Sequence, residues 1–164
     1  MSDQLVVVGV DGSPASFTAL RWILACRRRP DVRLQAVRCW TPVLASRWDT
    51  AVTARPVPTI AEQEAQARRE LAEVVAVAQA RVFGSAARVA VHQQVVRGPA
   101  GPGLVSQAAG ADLLVVGHGR RSIEVLHRSV SWYCVRHADC PVLVFPPVMA
   151  TRPELTPLRT GVPA

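Results

Sequence analysis

Lysine is absent from this chain: all 19 basic residues are arginine, set against 12 acidic ones, for a formal net charge of +7. A surplus of that size suits a polyanionic partner. Yet aromatic residues make up only 5% of the sequence, and the arginines are scattered apart from short runs such as Arg27 to Arg29. With no aromatic residues interleaved among the basic ones and no recognised reader motif, nucleic-acid binding is disfavoured and the charge reads as a solvated basic surface.

Long apolar runs are missing too. No stretch approaches the roughly 18 to 20 apolar residues that span a bilayer. The opening MSDQLVVVGV has neither the basic region nor the small-residue cleavage site of a secretory signal. A membrane role is not expected, and the expected location is the cytoplasm. Cysteine is scarce and forms no framework: Cys26, Cys39, Cys134 and Cys140 sit in or beside apolar segments, as reduced and buried thiols do. What remains is 164 residues, 49% of them apolar, enough for a single domain with a real core.

Three short Val/Leu-rich runs, LVVVGV (5–10), DLLVVG (112–117) and PVLVF (141–145), are bounded by Gly or Pro. Runs of this kind form strands buried on both faces of a parallel sheet. VRLQAVRCW (32–40) and RVAVHQQVV (88–96) mix apolar and polar residues and suit less buried strands. Helical spacing lies between them. Residues 14–27 align Phe17, Leu20 and Leu24, with Pro14 near the first turn and Asp11 or Ser13 available as a cap. Residues 60–82 align Ile60, Ala67, Leu71, Val74, Val75, Ala78 and Val82. Residues 101–109 start a short helix, and 122–137 direct Val125, Val130 and Tyr133 toward a core. Strand and helix alternate throughout, which predicts a doubly wound, Rossmann-like α/β domain over residues 1–147. Two segments fall outside it: the connection 41–59, with three prolines, and a proline-rich tail, 148–164, expected to be disordered.

In a doubly wound sheet, ligands bind beyond the carboxyl ends of the strands where the strand order reverses. Two loops leave such ends, GVDGS after the first strand and GHGRRS after the fourth. Asp11 suits either a ribose contact or a helix cap, and both readings stand. Gly117 and Gly119 allow a backbone to approach phosphate, and helix N-terminal amides favour anions.

VVVGVDGSPAS at the start, VVRGPAGPGLVSQAAGADLLVVGHG in the middle and RSVSWYCVRHADCPVLVF at the end occur in an order and spacing that resemble the universal stress protein family, over residues 4–146. The resemblance implies five parallel strands in the order 3-2-1-4-5, a homodimer formed through the last strand (Pro141 to Phe145), and a cytoplasmic role in stress adaptation. It also implies ATP binding, which many members achieve through G-x2-G-x9-G-[ST]. Carried over by position, Gly9 and Asp11 match the adenosine-contacting loop, and Cys39 lies near the adenine position. Val116 and Gly117 match the start of the phosphate loop, and Ser129 and Val130 its end. The middle departs from the pattern: the spacing here is G-x-G-x8-R-S, and Arg128 stands in place of the third glycine.

Two missing residues remove up to about 7 Å of contour, so the loop cannot follow the family path around a triphosphate. An arginine in place of glycine adds a Cβ where backbone should meet phosphate. Against this, Arg120, Arg121 and Arg128, which follow Gly119, offer charge that would neutralise phosphate through side chains instead of backbone. An ATP-like nucleotide or related anion, held by a degenerate loop, is the expected ligand. The alternative is a ligand-free dimeric interaction protein of the same fold. Slow ATP hydrolysis is the most catalysis to expect, because neither a Walker lysine nor an obvious metal-binding carboxylate follows the glycines.

Other constellations read as structure. Cys134, His137 and Cys140 are spaced C-x2-H-x2-C but lack a fourth ligand, and no metal is expected. His118 and His127 flank the arginines without a paired nucleophile. His92 belongs to a strand, and the four tryptophans read as packing, with Trp48 the least clear.

Overall fold

The computed structural model describes residues 4–26, 32–43, 58–84, 89–118 and 129–146. The elements run β1 (Gln4–Gly9), α1 (Pro14–Cys26), β2 (Val32–Trp40), α2 (Ile60–Phe83), β3 (Val91–Arg97), α3 (Ala100–Gln107), β4 (Leu113–Gly117), α4 (Val130–His137) and β5 (Val142–Phe145). All strand pairs are parallel, and the sheet order is β3-β2-β1-β4-β5. The order reverses between β1 and β4, which pair over Val6–Leu113, Val7–Leu114 and Val8–Val115.

The apolar runs form strands because both faces of the sheet are covered. Val6 and Val8 join Leu20, Leu24, Leu34, Leu71 and Val75 in one cluster, under α1 and α2. Val7 points the other way and joins Leu104, Leu114, Val116 and Cys134, under α3 and α4. A strand with alternate residues in two cores has no polar face, hence the unbroken run of valines. The helix α2 is started by a capping box. The Thr59 hydroxyl accepts from the Glu62 N–H (3.2 Å), and the Glu62 carboxylate accepts from the Thr59 N–H (2.7 Å). Among the described residues no helix is long and apolar enough to cross a membrane.

Several expectations are corrected. Val130 and Tyr133 do not face a core but are 38% and 37% exposed; Ser131 and Cys134 are the buried residues of α4. Ile60, the first residue of α2, is 39% exposed, so the buried stripe begins at Ala67. Cys26, at the end of α1, is exposed, while Cys39, Cys134 and Cys140 are half or fully buried. Trp22 and Trp132 are also largely exposed; Trp40 is half-buried. The expected helix start at 122–128, Val125 within it, His127, Trp48 and the tail lie outside the described residues.

The contact that sets the reversal point is between β4 and α1. A Cβ on Gly117 would lie 2.6 Å from the Ser16 backbone N and 2.9 Å from the Ala15 carbonyl carbon. Both are main-chain atoms of the first turns of a helix, which cannot yield as a side-chain tip can. Gly117→Ala is therefore expected to destabilise the fold by about 1–3 kcal/mol, the usual cost of overpacking. Denaturant unfolding checks this, and an unchanged midpoint would show that α1 is free to shift.

Candidate functional site

The turn between β1 and α1 is built from its own side chains. The Asp11 carboxylate accepts from the Ser13 N–H at 2.9 Å, closing a tight turn in which Gly12 takes φ +82°. The Ser13 hydroxyl in turn accepts from the Ser16 N–H at 3.2 Å, while the Ser16 hydroxyl donates to the Ser13 carbonyl at 3.0 Å. Ser13 is thus the helix cap and Asp11 the organiser of the turn that precedes it. Asp11 is exposed and free to meet a ligand as well. Burial pulls its carboxyl upward, but the hydrogen bonds from Ser13 and Ser16 outweigh that and hold it below the usual carboxylate value.

Across the reversal point, β4 ends at Gly117, in contact with Ser16, and His118 follows. The His118 N–H donates to the Phe145 carbonyl at 2.6 Å, and its Nδ1 lies 3.2 Å from the Ser131 hydroxyl. The Ser131 hydroxyl is 2.7 Å from that of Ser129. Ser129 holds the N-cap position of α4 and makes no side-chain cap bond there. Asp11, Ser16, Gly117, His118, Ser131 and Ser129 therefore form one continuous patch at the carboxyl ends of β1 and β4. A helix N-terminus with a serine at its cap is a favourable place for an anion.

Matched residues over 4–146 fit the model of the family described as the universal stress protein family. The chain belongs to the universal stress protein family. Among curated relatives, a universal stress protein of Mycobacterium tuberculosis is 31% identical over 172 residues, covering 96% of this chain and 53% of that protein. One of Mycolicibacterium smegmatis is 36% identical over 145 residues, covering 87% of this chain and 45% of that protein. The chain spans about half the length of the curated universal stress proteins it matches. Among solved structures, a universal stress protein in complex with cAMP superposes with a TM-score of 0.61 at 22% identity, covering 90% of this chain and all of that one. A universal stress protein family member from Arabidopsis thaliana with AMP bound gives 0.55 at 19% identity, with 92% and 97% covered. At these identities the likeness is one of fold.

The candidate nucleotide-contacting positions fall into four groups. Asp11, Gly117 and Ser129 come together in the patch, with the exposed Val130 beginning α4 beside them. Gly9 and Val116 are instead packing positions. A Cβ on Gly9 would meet Leu104 at 3.0 Å, and Val116 is 2% exposed in the core under α3. Cys39 sits near the end of β2 with its thiol 3.7 Å from the Ala100 carbonyl and against Gly103, and burial raises its pKa. Gly119, Arg120, Arg121 and Arg128 lie outside the described residues.

Two features were not anticipated. The Ser129–Ser131–His118 chain is one, and no spacing rule points to it, since its ends lie on either side of the loop. The other is a cleft of about 930 Å³ beside the end of β2, lined by Trp40, Gln63, Gln66 and Arg69 and floored by an ion pair of Arg38 with Glu70. Arg38 and Trp40 alternate with Cys39 along the strand, and Trp40 packs with the cluster under α1 and α2 while Cys39 packs with the opposite one. Among the described residues, no three His, Cys, Asp or Glu side chains form a metal-binding group, and Cys134, His137 and Cys140 do not converge. His137 instead stacks on Tyr133, with ring centroids 4.3 Å apart.

Proposed function

We propose that this universal stress protein is a non-catalytic cytoplasmic stress-response module that binds an adenine nucleotide such as ATP, or a related anion, at the reversal point of its sheet. The observation that carries this reading is the patch itself. One exposed carboxylate suited to ribose hydroxyls, one glycine at a strand end and one N-cap serine without a cap bond lie in unbroken contact along the crevice where doubly wound folds take their ligands. The complexes of universal stress proteins with cAMP and AMP support a nucleotide in this fold. Within that reading, Gly119, Arg120 and Arg128 contribute to the phosphate contacts of a shortened loop, Val130 to the helix start, and Cys39 borders the adenine.

The partner in this reading is a second copy, joined through Pro141 to Phe145. The strand β5 is at the edge of the sheet, and Phe145 packs with Trp22, which is itself 44% exposed (ring centroids 5.5 Å apart). An apolar edge strand flanked by an exposed tryptophan favours association. If the protein acts without ligand, this edge is the surface it acts through.

Mass analysis of small molecules released from the denatured, purified protein is expected to find an adenine nucleotide, and light scattering at micromolar concentration a dimer. In calorimetry, Asp11→Ala should weaken ATP by about tenfold, the worth of a hydrogen bond to a charged group, and leave inorganic phosphate unaffected. ATP affinity unmoved by Asp11→Ala would remove the crevice as its site.

A further inference from the structure

His118 is tied on two sides. Its backbone donates to the Phe145 carbonyl at the end of β5, and its ring meets Ser131 of α4. Ser131 is 4% exposed, so its hydroxyl has little access to water; among the described residues its partners are His118 at 3.2 Å and Ser129 at 2.7 Å. Both hydrogen bonds can run in either sense, because hydroxyls and imidazole nitrogens each donate or accept.

A hydroxyl has one proton to give, so the sense of the chain is set at its ends. When the neutral imidazole accepts at Nδ1, Ser131 donates to it and accepts from Ser129. Ser129 then has no proton left for an incoming oxyanion. When the ring is an imidazolium, Nδ1–H donates to Ser131, Ser131 donates to Ser129, and the Ser129 proton is free to turn toward a ligand. The neutral ring protonated at Nδ1 supports the same orientation, but only the imidazolium adds a positive charge, so an arriving phosphate favours proton uptake.

We propose that oxyanion binding at the Ser129 end of α4 is coupled to proton uptake by His118, relayed through the buried hydroxyl of Ser131. This rests on the nucleotide-binding reading and adds a regulation to it: affinity rises as the pH falls through the range in which histidine titrates. Ser131 is a positioning residue, and His118 is the group that takes the proton.

Among the described residues, the surroundings hold few competing charges. The first turns of α1 bring Ser13 and Ser16, β5 is Val-Leu-Val-Phe, and α3 has no ionisable side chain. The helix α4 brings Cys134, whose thiol burial pushes up to about 11, and, further on, Tyr133, Arg136 and His137. In the β1–α1 turn, Asp11 stays ionised across the range, its carboxyl lying below the ordinary value. His127 in the same stretch of sequence is a second imidazole and needs its own control.

The test is calorimetry of ATP binding to the full chain at pH 5.5 and 7.5, in two buffers of different ionisation enthalpy. The protein is compared with His118→Gln, Ser131→Ala and His127→Gln at each pH, so that titration of the ATP phosphate cancels. The unmodified protein and His127→Gln should take up protons on binding at pH 7.5, and Ser131→Ala and His118→Gln should take up markedly fewer. At pH 5.5 the unmodified protein should bind at least about threefold more tightly than His118→Gln, within the tenfold per pH unit that one coupled proton allows. Equal proton uptake in all four proteins overturns the coupling and leaves nucleotide binding standing. If ATP binds at neither pH, the nucleotide reading itself fails. The relay is also read without ligand, through the ring nitrogen shifts of His118 by NMR during a pH titration. Ser131→Ala must move them, and unchanged shifts overturn the relay.

Discussion

Where the carboxyl end of β4 meets the first turns of α1, there is no room for even a methyl group. The rest of the candidate site depends on that approach. It brings Ser16 against Gly117, and Ser16 belongs to the hydrogen-bonded turn that orients Asp11. It also directs the chain onward to His118, whose backbone bonds to β5 and whose ring reaches α4. A bulkier residue at 117 would push the end of β4 away from the β1–α1 turn. The helices of β1 and β4 depart to opposite faces of the sheet, and only close packing at their point of divergence keeps the crevice narrow enough for both loops to reach across it.

The two cores hold this arrangement by different means. Under α1 and α2, large branched side chains such as Leu20, Leu24 and Leu71 fill the space between helix and sheet. Under α3 and α4 the packing relies on small residues. A Cβ on Gly101 would fall 2.7 Å from the Tyr133 ring, and one on Gly103 would fall 2.7 Å from the Cys39 sulfur. The short helices α3 and α4 can therefore lie close to each other and to β2, which leaves the N-terminus of α4, with Ser129 and Ser131, level with the ends of β1 and β4. Arg38, paired with Glu70 of α2, also reaches the β1–α1 turn, where its Nη1 would lie 3.7 Å from a Cβ on Gly12. Arg120, Arg121 and Arg128 belong to the sequence between Gly117 and Ser129.

The unbroken valines of β1 and β4 made the central strands legible, because only a strand covered on both faces can be apolar at every position. The spacing of Ala67, Leu71, Val75 and Ala78 likewise revealed the buried stripe of α2. The order of the strands came from resemblance, since no local pattern encodes which strands neighbour one another. The direction of α4 was misread, because its buried face carries Ser131 and Cys134 while Val130 and Trp132 look outward and Tyr133, partly exposed, lies over Gly101 of α3. An eight-residue helix has too few positions for periodicity to overrule the pull of large apolar residues. The T-x-x-E signature of the α2 capping box was present at Thr59 and Glu62 and could have fixed that helix start. His118 was noticed only as one of two histidines near arginines. Its partner lies 13 residues away across the loop, and nothing short of the fold brings them together.

In the reading proposed above, the crevice between β1 and β4, not the cleft beside Trp40, receives the nucleotide. Backbone amide NMR of the isotope-labelled full chain, titrated with ATP, separates the two. The account predicts that the earliest and largest shift changes fall on Asp11 to Ser16, Gly117, His118 and Ser129 to Ser131, with Gln63, Gln66 and Arg69 little affected. Changes concentrated on those three residues of α2 and on Trp40, with the crevice unmoved, would contradict it.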